Sequence, residues 1–184
     1  MTHVNAAKPE ISKHYTAMTW NIEGLKRNIH NLVHFCNTYQ PDLIFLSEPQ
    51  IFTCDVEQLM SFLKGSYSYS LNSADIHDPE IPLLNMKAKG GTMILWKQEH
   101  DPYTTAQPVS STAFLPIIFS PHGYTPSIHV CVYLPTQGQE QPFIEDIANL
   151  ADTVETLQQE HPDTALYLRG DFNVNHKICK GFHS

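Results

Sequence analysis

Short apolar runs alternate along this chain with segments of helical periodicity. The runs YTAMTW, DLIFLSE, GGTMILWK and TALYLRGDFN are too short for helices and are bounded by polar residues, Gly or Pro, which favours buried strands. Residues 26–40 place apolar side chains on one helical stripe, and Pro41 marks the end of that helix. Strands that alternate with helices predict a layered α/β or α+β sandwich, with helices outside the sheets.

A hairpin, two helices and a loop are also predicted. TAFLPIIFS and SIHVCVYLP predict a hairpin across PHGYTP, which is rich in turn-forming residues. Val56 to Leu63 predicts a short helix closed by Gly65. Residues 142–162 predict the longest helix, whose apolar stripe comprises Phe143, Ile147, Leu150, Ala151, Val154 and Leu157. Residues 72–90 predict a loop.

Composition bounds the class of protein. A length of 184 residues and a 41% hydrophobic content suit one domain, predicted at 15–184 after a polar tail at 1–14. We predict no membrane span, no lipid anchor and no signal peptide, because no apolar stretch is long enough. The scattered cysteines Cys36, Cys54, Cys131 and Cys179 indicate free thiols, and therefore an intracellular protein, nuclear or cytoplasmic and not secreted. The sequence leaves the oligomeric state open.

Polar side chains follow several of the predicted strands. Asn21 and Glu23 follow the first, Glu48 follows the second, Tyr133 ends the hairpin strand, and Asp171 and Asn173 end the last. Functional side chains collect at strand ends and in the loops that follow them. Each residue alone has an ordinary explanation as a cap, a turn residue or a core tyrosine. Their shared position predicts a site.

The chemistry of these side chains suits a hard cation. Carboxylates, amides and a phenol offer oxygen ligands, which favour Mg²⁺ or Mn²⁺. Asp171 and Asn173 lie two residues apart on a predicted extended chain, so we expect them to share a face while Phe172 points into the core. The net charge of -8 argues against a protein that coats nucleic acid, but it does not exclude a nuclease.

Five segments together resemble the endonuclease/exonuclease/phosphatase superfamily. They are MTWNIEGL, PDLIFLSEPQ, GGTMILWK, HVCVYLPT and LYLRGDFN, in the family's order between about residues 15 and 175. Within the superfamily the chain most resembles the apurinic-type endonuclease domain of LINE-type (non-LTR) retrotransposons. The resemblance implies a four-layer α/β sandwich of two packed mixed β-sheets flanked by helices. It also implies Mg²⁺-dependent hydrolysis of a phosphodiester, with DNA as a weak or transient partner that is nicked.

The resemblance also implies roles for the residues at the first strand ends. Glu48 would be the principal metal ligand. Glu23 would be an outer metal ligand, at a position where the family often has Asp. Asn21 would orient the neighbouring acids.

The later strand ends would contact the substrate. Tyr133 would contact the scissile phosphate, Asp171 would align or deprotonate the attacking water, and Asn173 would bind a phosphate oxygen. Family members continue past GDFN with further strands and a Ser-Asp-His segment. The resemblance therefore predicts a domain truncated after GDFN, with its C-terminal part missing and its activity impaired. His176 and His183 are not in a Ser-Asp-His context.

Other interpretations remain open from the sequence. The chain could be a non-catalytic remnant or binding module. It could instead be a phosphatase for phosphoinositides or another small phosphate ester, which would need a basic pocket; Lys87, Lys89 and Lys97 are the candidates. His176, Cys179 and His183 lack the second ligand pair of a zinc site.

Overall fold

A computed structural model describes residues 14–73, 88–109, 111–135 and 140–173 of the chain. The predicted tail at 1–14, except His14, and most of the predicted loop at 72–90 lie outside these residues. Lys87, His176, Cys179 and His183 also lie outside them.

The first sheet contains four strands in the order β1-β2-β4-β3. β1 is Ala17–Asn21, β2 is Leu43–Ser47, β3 is Tyr67–Asn72 and β4 is Thr92–Lys97. β1 pairs parallel with β2, whereas β4 pairs antiparallel with both β2 and β3, so the sheet is mixed. Because β1 and β2 run parallel, their C-terminal ends lie side by side at the same end of the sheet.

The second sheet has the order β5-β6-β7-β8. Its strands are β5 (Thr104–Ala106), β6 (Phe114–Phe119), β7 (Ser127–Tyr133) and β8 (Ala165–Asp171). β6 and β7 form the predicted antiparallel hairpin, and β8 pairs parallel with β7. β5 was not predicted, because three residues carry too little periodicity to reveal a strand.

Helices cover the outer faces of both sheets. α1 (Leu25–Tyr39) and α2 (Thr53–Met60), which continues into a 3₁₀ turn at Ser61–Leu63, pack on the first sheet. α3 (Glu140–Glu160) packs on the second. A second 3₁₀ segment, Gln98–Tyr103, leads into β5. α1 ends at Gln40, whose left-handed φ of 46° lets its N–H reach the Cys36 carbonyl.

The core between the two sheets confirms the predicted four-layer sandwich. The first sheet contributes Leu43, Phe45, Ile94 and Trp96, and the second contributes Leu115, Ile117, Phe119 and Cys131. The outer clusters under α1 and α2 and under α3 complete the layers. In the described residues, the structure contains no helix that combines the length and apolar character needed to cross a membrane.

The predicted apolar stripe of α3 is only partly buried. Leu150 and Leu157 are buried and Phe143 and Val154 pack with them, but Ile147 is 41% exposed and Ala151 is also exposed. The predicted helix is present, but Ile147 and Ala151 of its apolar stripe lie outside the buried face. α3 packs against β6, β7 and β8 through a narrower stripe than the sequence predicted.

Candidate active site

Two pairs of parallel strands bring the predicted polar residues together. Asn21 at the end of β1 pairs in register with Ser47 at the end of β2. Tyr133 at the end of β7 pairs with Asp171 at the end of β8. Because β8 packs across β1 and β2, the two sets meet at one end of the sandwich.

The amide of Asn21 connects the two sheets. Its Nδ2 donates to Glu48 Oε1 and to Asp171 Oδ2, both at 2.9 Å. Its Oδ1 accepts the backbone N–H of Glu23 at 3.2 Å, which fixes the amide with its NH₂ group toward the acids. One carboxylate from each sheet is thus held by a single neutral side chain.

Two more neutral donors hold the Glu48 carboxylate. Gln50 Nε2 donates to Glu48 Oε2 at 2.8 Å, and the phenol of Tyr133 hydrogen-bonds to the same carboxylate. The sequence prediction missed Gln50. The available signal was its position two residues after Glu48, across Pro49, where a short turn can bring an amide back to the preceding acid.

Tyr133 remains protonated at neutral pH in this environment. Burial raises the pKa of Tyr133 to about 12, with further contributions from the hydrogen-bonded Glu48 carboxylate and the charge of Asp171. The phenol is therefore available as a hydrogen-bond donor beside the two acids.

Asp171 and Asn173 are adjacent, but not in the predicted way. β8 ends at Asp171, and Asn173 has a left-handed φ of 47°, so the segment turns where an extended chain was predicted. Asp171 Oδ1 accepts the backbone N–H of Asn173 at 3.0 Å, and Asn173 Nδ2 donates to the Leu134 carbonyl at 2.7 Å. Asn173 thus ties the end of β8 to the segment after β7. Phe172 packs into the cluster under α3, as predicted.

Glu23 does not join the cluster through its side chain. Its carboxylate is 72% exposed and lies 3.6 Å from the Arg27 guanidinium, one helical turn further on. Arg27 also donates to the Glu23 carbonyl at 2.6 Å. The described contact of Glu23 with the cluster is its backbone N–H on Asn21.

Backbone strain is concentrated at this end of the molecule. Among the described residues other than glycine, positive φ angles occur at Glu23, Gln40, Glu48, Gln50 and Asn173. All of these except Gln40 lie in or beside the cluster. The strained turn after β2 is anchored by Glu48 N–H to the Gly91 carbonyl at 3.1 Å and by Gln50 N–H to the Gly90 carbonyl at 3.2 Å. Such strain gathers at functional sites, where the surroundings hold it in place.

Gly170 permits the close approach of β8 to β7 directly before Asp171. Its φ is 138°, and a Cβ at this position would collide with the backbone of Val132. A side chain here would push Asp171 out of register with Tyr133. Glycine at position 170 of GDFN therefore keeps Asp171 in its place in the site.

Two buried hydroxyls lie beside the cluster. Ser47 and Thr92 pair in register across β2 and β4, and within the described residues neither side-chain oxygen has a hydrogen-bond partner. Both point into the space between the sheets, since Ser47 shares its face with Phe45. Buried hydroxyls without a hydrogen-bond partner are uncommon. These two form a polar surface next to Asn21.

The donor set fits a hard divalent cation. Over the part of the chain that the structure describes, no Lys, Arg or His forms an ion pair with Glu48 or Asp171. Two carboxylates are therefore brought together by neutral donors only. Mg²⁺ typically uses one or two carboxylates and leaves other positions to water and substrate.

A second acidic group lies at the opposite end of β2. Ligand atoms of Asp42, Glu99 and His100 lie within 4.8 Å of one another. Lys97 Nζ already lies 2.8 Å from the Asp42 carboxylate, which also accepts the N–H and hydroxyl of Thr16. This carboxylate is neutralised by the protein, so it fits a cation poorly.

Comparison with known proteins supports the fold. No protein-family model and no curated protein matches the chain by sequence. Solved structures do match: TDP2 from Caenorhabditis elegans has a TM-score of 0.59 at 16% identity and covers 89% of this chain and 49% of its own. The human Nocturnin catalytic domain, with bound sulfate, has a TM-score of 0.58 at 16% identity, over 88% of this chain and 64% of its own.

A third neighbour is the 3′ phosphatase NExo from Neisseria, bound to a product DNA hairpin, with a TM-score of 0.56 at 16% identity. It matches over 88% of this chain and 58% of its own length. The chain thus spans between about half and two thirds of these neighbours. The likeness confirms the predicted sandwich of two mixed β-sheets flanked by helices.

Proposed function

We propose that this chain carries a Mg²⁺-dependent (or Mn²⁺-dependent) phosphodiester-hydrolysing site whose substrate is DNA. The observation that supports it most is the Asn21 amide, which holds Glu48 and Asp171 at 2.9 Å each without any neutralising cation from the described protein. Two uncompensated carboxylates in one place favour a bound metal ion and a phosphate substrate. The retrotransposon-type endonuclease is the specific form that the sequence motifs favour.

Glu48 is the residue proposed to hold the cation, with Glu23 contributing from an outer position. Glu48 is fixed by Asn21, Gln50 and Tyr133, so the carboxylate loses little side-chain freedom when it binds an ion. A bound Mg²⁺ polarises a phosphoryl oxygen and stabilises the leaving oxygen.

Asp171 and Tyr133 are proposed to act on the substrate directly. Asp171 is an acceptor at the end of a strand and can take a proton from an attacking water. Tyr133 is protonated at neutral pH, since burial and the nearby acids raise its pKa further, from 10.0 to about 12, so it can donate to a phosphate oxygen. Asn21 and Asn173 position these groups, the first through its amide and the second through the end of β8.

DNA is proposed as the substrate from the neighbours and the motifs together. One structural neighbour is zebrafish (D. rerio) TDP2 in complex with a single-stranded DNA product, at a TM-score of 0.54 and 15% identity. Another is NExo, bound to a product DNA hairpin. The net charge of -8 limits the number of phosphate contacts, so we expect weak or transient binding.

Nicking of supercoiled plasmid in Mg²⁺ tests the proposal. Wild type is compared with Glu48→Gln and Asp171→Asn, and with Glu160→Gln, which removes the same charge from an exposed position on α3. Nicking by wild type and Glu160→Gln, lost in both site variants and in EDTA, is the expected result. A folded wild-type chain that does not nick leaves the non-catalytic binding module as the better reading.

The 3′-phosphatase neighbour gives the phosphatase alternative a specific test. The same four proteins are incubated with an oligonucleotide that carries a 3′ phosphate. Release of phosphate without nicking of plasmid would replace the endonuclease by a phosphatase that uses the same residues. In either case Glu48→Gln is expected to lose the activity that the wild type shows.

A further inference from the structure

A cleft of about 410 Å³ lies along β8 and the start of β7, and the described residues that line it are not part of the Asn21 cluster. Arg169 and Tyr167 of β8 line it together with Ser127 of β7 and Tyr15, which precedes β1. β1 and β8 are both edge strands in the described sheets, so the cleft lies at the open side of the sandwich. Its volume is in the range of small-molecule sites, about 300–1,000 Å³.

Arg169 enters this cleft without an acidic partner. In the described part of the chain no carboxylate lies within ion-pair distance of it, although the protein is acidic overall. Its guanidinium carbon instead lies 5.4 Å from the ring centroid of Phe45 and 5.3 Å from that of Tyr167. A half-buried cation that contacts aromatic rings and no anion retains unmet hydrogen-bonding capacity.

The contacts of Arg169 leave most of its donors available. Its Nε donates to His129 Nδ1 at 3.4 Å. Among the described residues, this is the hydrogen bond that the Arg169 side chain makes. The guanidinium has five N–H donors in a fork that matches the oxygens of phosphate. The two terminal nitrogens can therefore both address one oxyanion.

The neighbouring hydroxyls provide a further donor. Since His129 Nδ1 accepts from Arg169, its proton lies on Nε2, which donates toward the Ser127 hydroxyl at 2.9 Å or the Tyr15 hydroxyl at 3.0 Å. The two hydroxyls are 3.2 Å apart, so one donates to the other. The hydrogen of the second hydroxyl remains available to the cleft.

His129 leaves the positive charge of the site to Arg169. Burial lowers the pKa of His129 to about 3, with a further contribution from the charge of Arg169. The imidazole is therefore neutral at physiological pH and serves to orient Arg169 and the hydroxyls. The described residues that line the cleft include no Asp or Glu.

We propose that this cleft binds the phosphate group of a phosphate monoester, with Arg169 as a forked donor and the Tyr15–Ser127 pair as the hydroxyl donor. The volume exceeds what inorganic phosphate fills, which leaves room for the group that carries the phosphate. The source is either the terminal phosphate of a nucleic acid or a free small phosphate. The site does not depend on the proposed hydrolysis, because it shares no residue with the Asn21 cluster.

Calorimetric titration with inorganic phosphate and with thymidine 5′-monophosphate, against thymidine, tests the proposal. We expect the two phosphate compounds to bind and thymidine not to bind. Arg169→Gln should weaken binding at least about tenfold and Arg169→Lys by less, because lysine keeps the charge and loses the fork. Arg27→Gln is the matched control, since it removes an exposed arginine that pairs with Glu23, and should leave binding unchanged. Equal binding by wild type and Arg169→Gln, or none by wild type, overturns the proposal.

Three further arms keep the outcome unambiguous. If Arg169→Gln does not fold, NMR of the wild type replaces it: phosphate must shift the side-chain Nε–H signal of Arg169, and shifts confined to other regions overturn the site. In EDTA, which removes the cation from the proposed hydrolytic site, phosphate should still bind at Arg169, so failure of the hydrolysis proposal is separable from failure here. Tighter binding of a 5′-phosphorylated oligonucleotide than of its 5′-hydroxyl form and of free phosphate assigns the nucleic-acid end as the source. Equal affinity for the phosphorylated oligonucleotide and for free phosphate assigns a small phosphate.

Discussion

The two ends of strand β2 carry acids in opposite circumstances. Asp42 directly precedes the strand and Glu48 directly follows it. The Asp42 carboxylate accepts a hydrogen bond from Lys97 Nζ at 2.8 Å. It also accepts hydrogen bonds from the backbone N–H and the hydroxyl of Thr16. Burial alone would raise the pKa of Asp42, but the hydrogen bonds of Lys97 and Thr16 outweigh it and hold that pKa below its usual value. Glu48 accepts neutral donors only and shares one of them with a second acid.

The difference separates a structural acid from a candidate functional one. A carboxylate that the protein neutralises stabilises the fold and has little capacity for a ligand. A carboxylate that neutral amides hold beside another carboxylate is fixed in position while its charge remains uncompensated. The backbone conformation supports this interpretation. Glu48 has a left-handed φ of 53°, whereas the φ of Asp42 is not positive. Strain and unpaired charge at the same residue are typical of sites where stability is reduced for function.

The largest expected effect is on activity at the Glu48 end. Glu48→Gln should lower the rate of DNA nicking by roughly 10³-fold, because several kcal/mol of charge stabilisation depend on the metal ligand. Asp42→Asn should leave the rate per folded molecule unchanged. Single-turnover nicking in Mg²⁺, normalised to the folded fraction from circular dichroism, measures both. Loss of nicking in folded Asp42→Asn would erase the distinction between the two ends.

Stability should respond in the reverse order. Asp42→Asn leaves Lys97 without its partner and should lower the free energy of unfolding by about 2 kcal/mol, below the value for fully buried pairs because Lys97 is 26% exposed. Glu48→Gln removes repulsion with Asp171 and should change it by less than about 0.5 kcal/mol, or raise it. Urea unfolding at neutral pH gives both values.

A double variant separates the ion pair from other effects at this end. Asp42→Asn combined with Lys97→Met should cost less than the sum of the single changes, because the isolated ammonium is then gone. Strict additivity would mean that Lys97 does not stabilise Asp42 in solution.

Sequence periodicity predicted this geometry within each sheet better than between the sheets. The run DLIFL is apolar throughout, so it had to be a buried strand, and Glu48 had to lie at its end. The contact between Asn21 and Asp171 joins residues 150 positions apart across two sheets. Periodicity carries no information on how sheets pack face to face. The shared position at strand ends and the family resemblance were what indicated that these residues meet.

Local conformation explains the remaining differences. Asn173 and Gln50 adopt left-handed φ angles that turn their side chains toward backbone and acid, whereas strand alternation assumes an extended chain. The Glu23 carboxylate pairs with Arg27, which lies one helical turn away, and this local ion pair competes with the site for the carboxylate. Periodicity does not reveal such single-residue turns.

Gln50 should have a smaller effect than Glu48. Gln50→Ala removes the donor on Glu48 Oε2 and lets the carboxylate rotate, so we expect about a tenfold loss in Mn²⁺ affinity and in nicking rate. Gln58→Ala, an exposed change on α2, is the control and should behave like wild type. Activity that falls while Mn²⁺ affinity stays constant would place Gln50 on the substrate rather than on Glu48.

The smallest expected effect is a shift in the alkaline titration of Tyr133, which reports on the negative charge at the Glu48 end of β2. Its pKa is raised from 10.0 to about 12, first by burial and then by Glu48 and Asp171. The stability that this raised pKa contributes is fully present below pH 10 and is lost as the pH rises toward 12, because the unfolded chain ionises first. Glu48→Gln should lower the pKa of Tyr133, and Asp42→Asn should not change it. Ultraviolet absorbance of the phenolate, with Tyr133→Phe subtracted, measures the shift. An unchanged Tyr133 pKa in Glu48→Gln would mean that this phenol and the carboxylate are not paired in solution, and the contrast between the two ends would then depend on Asn21 and Gln50 alone.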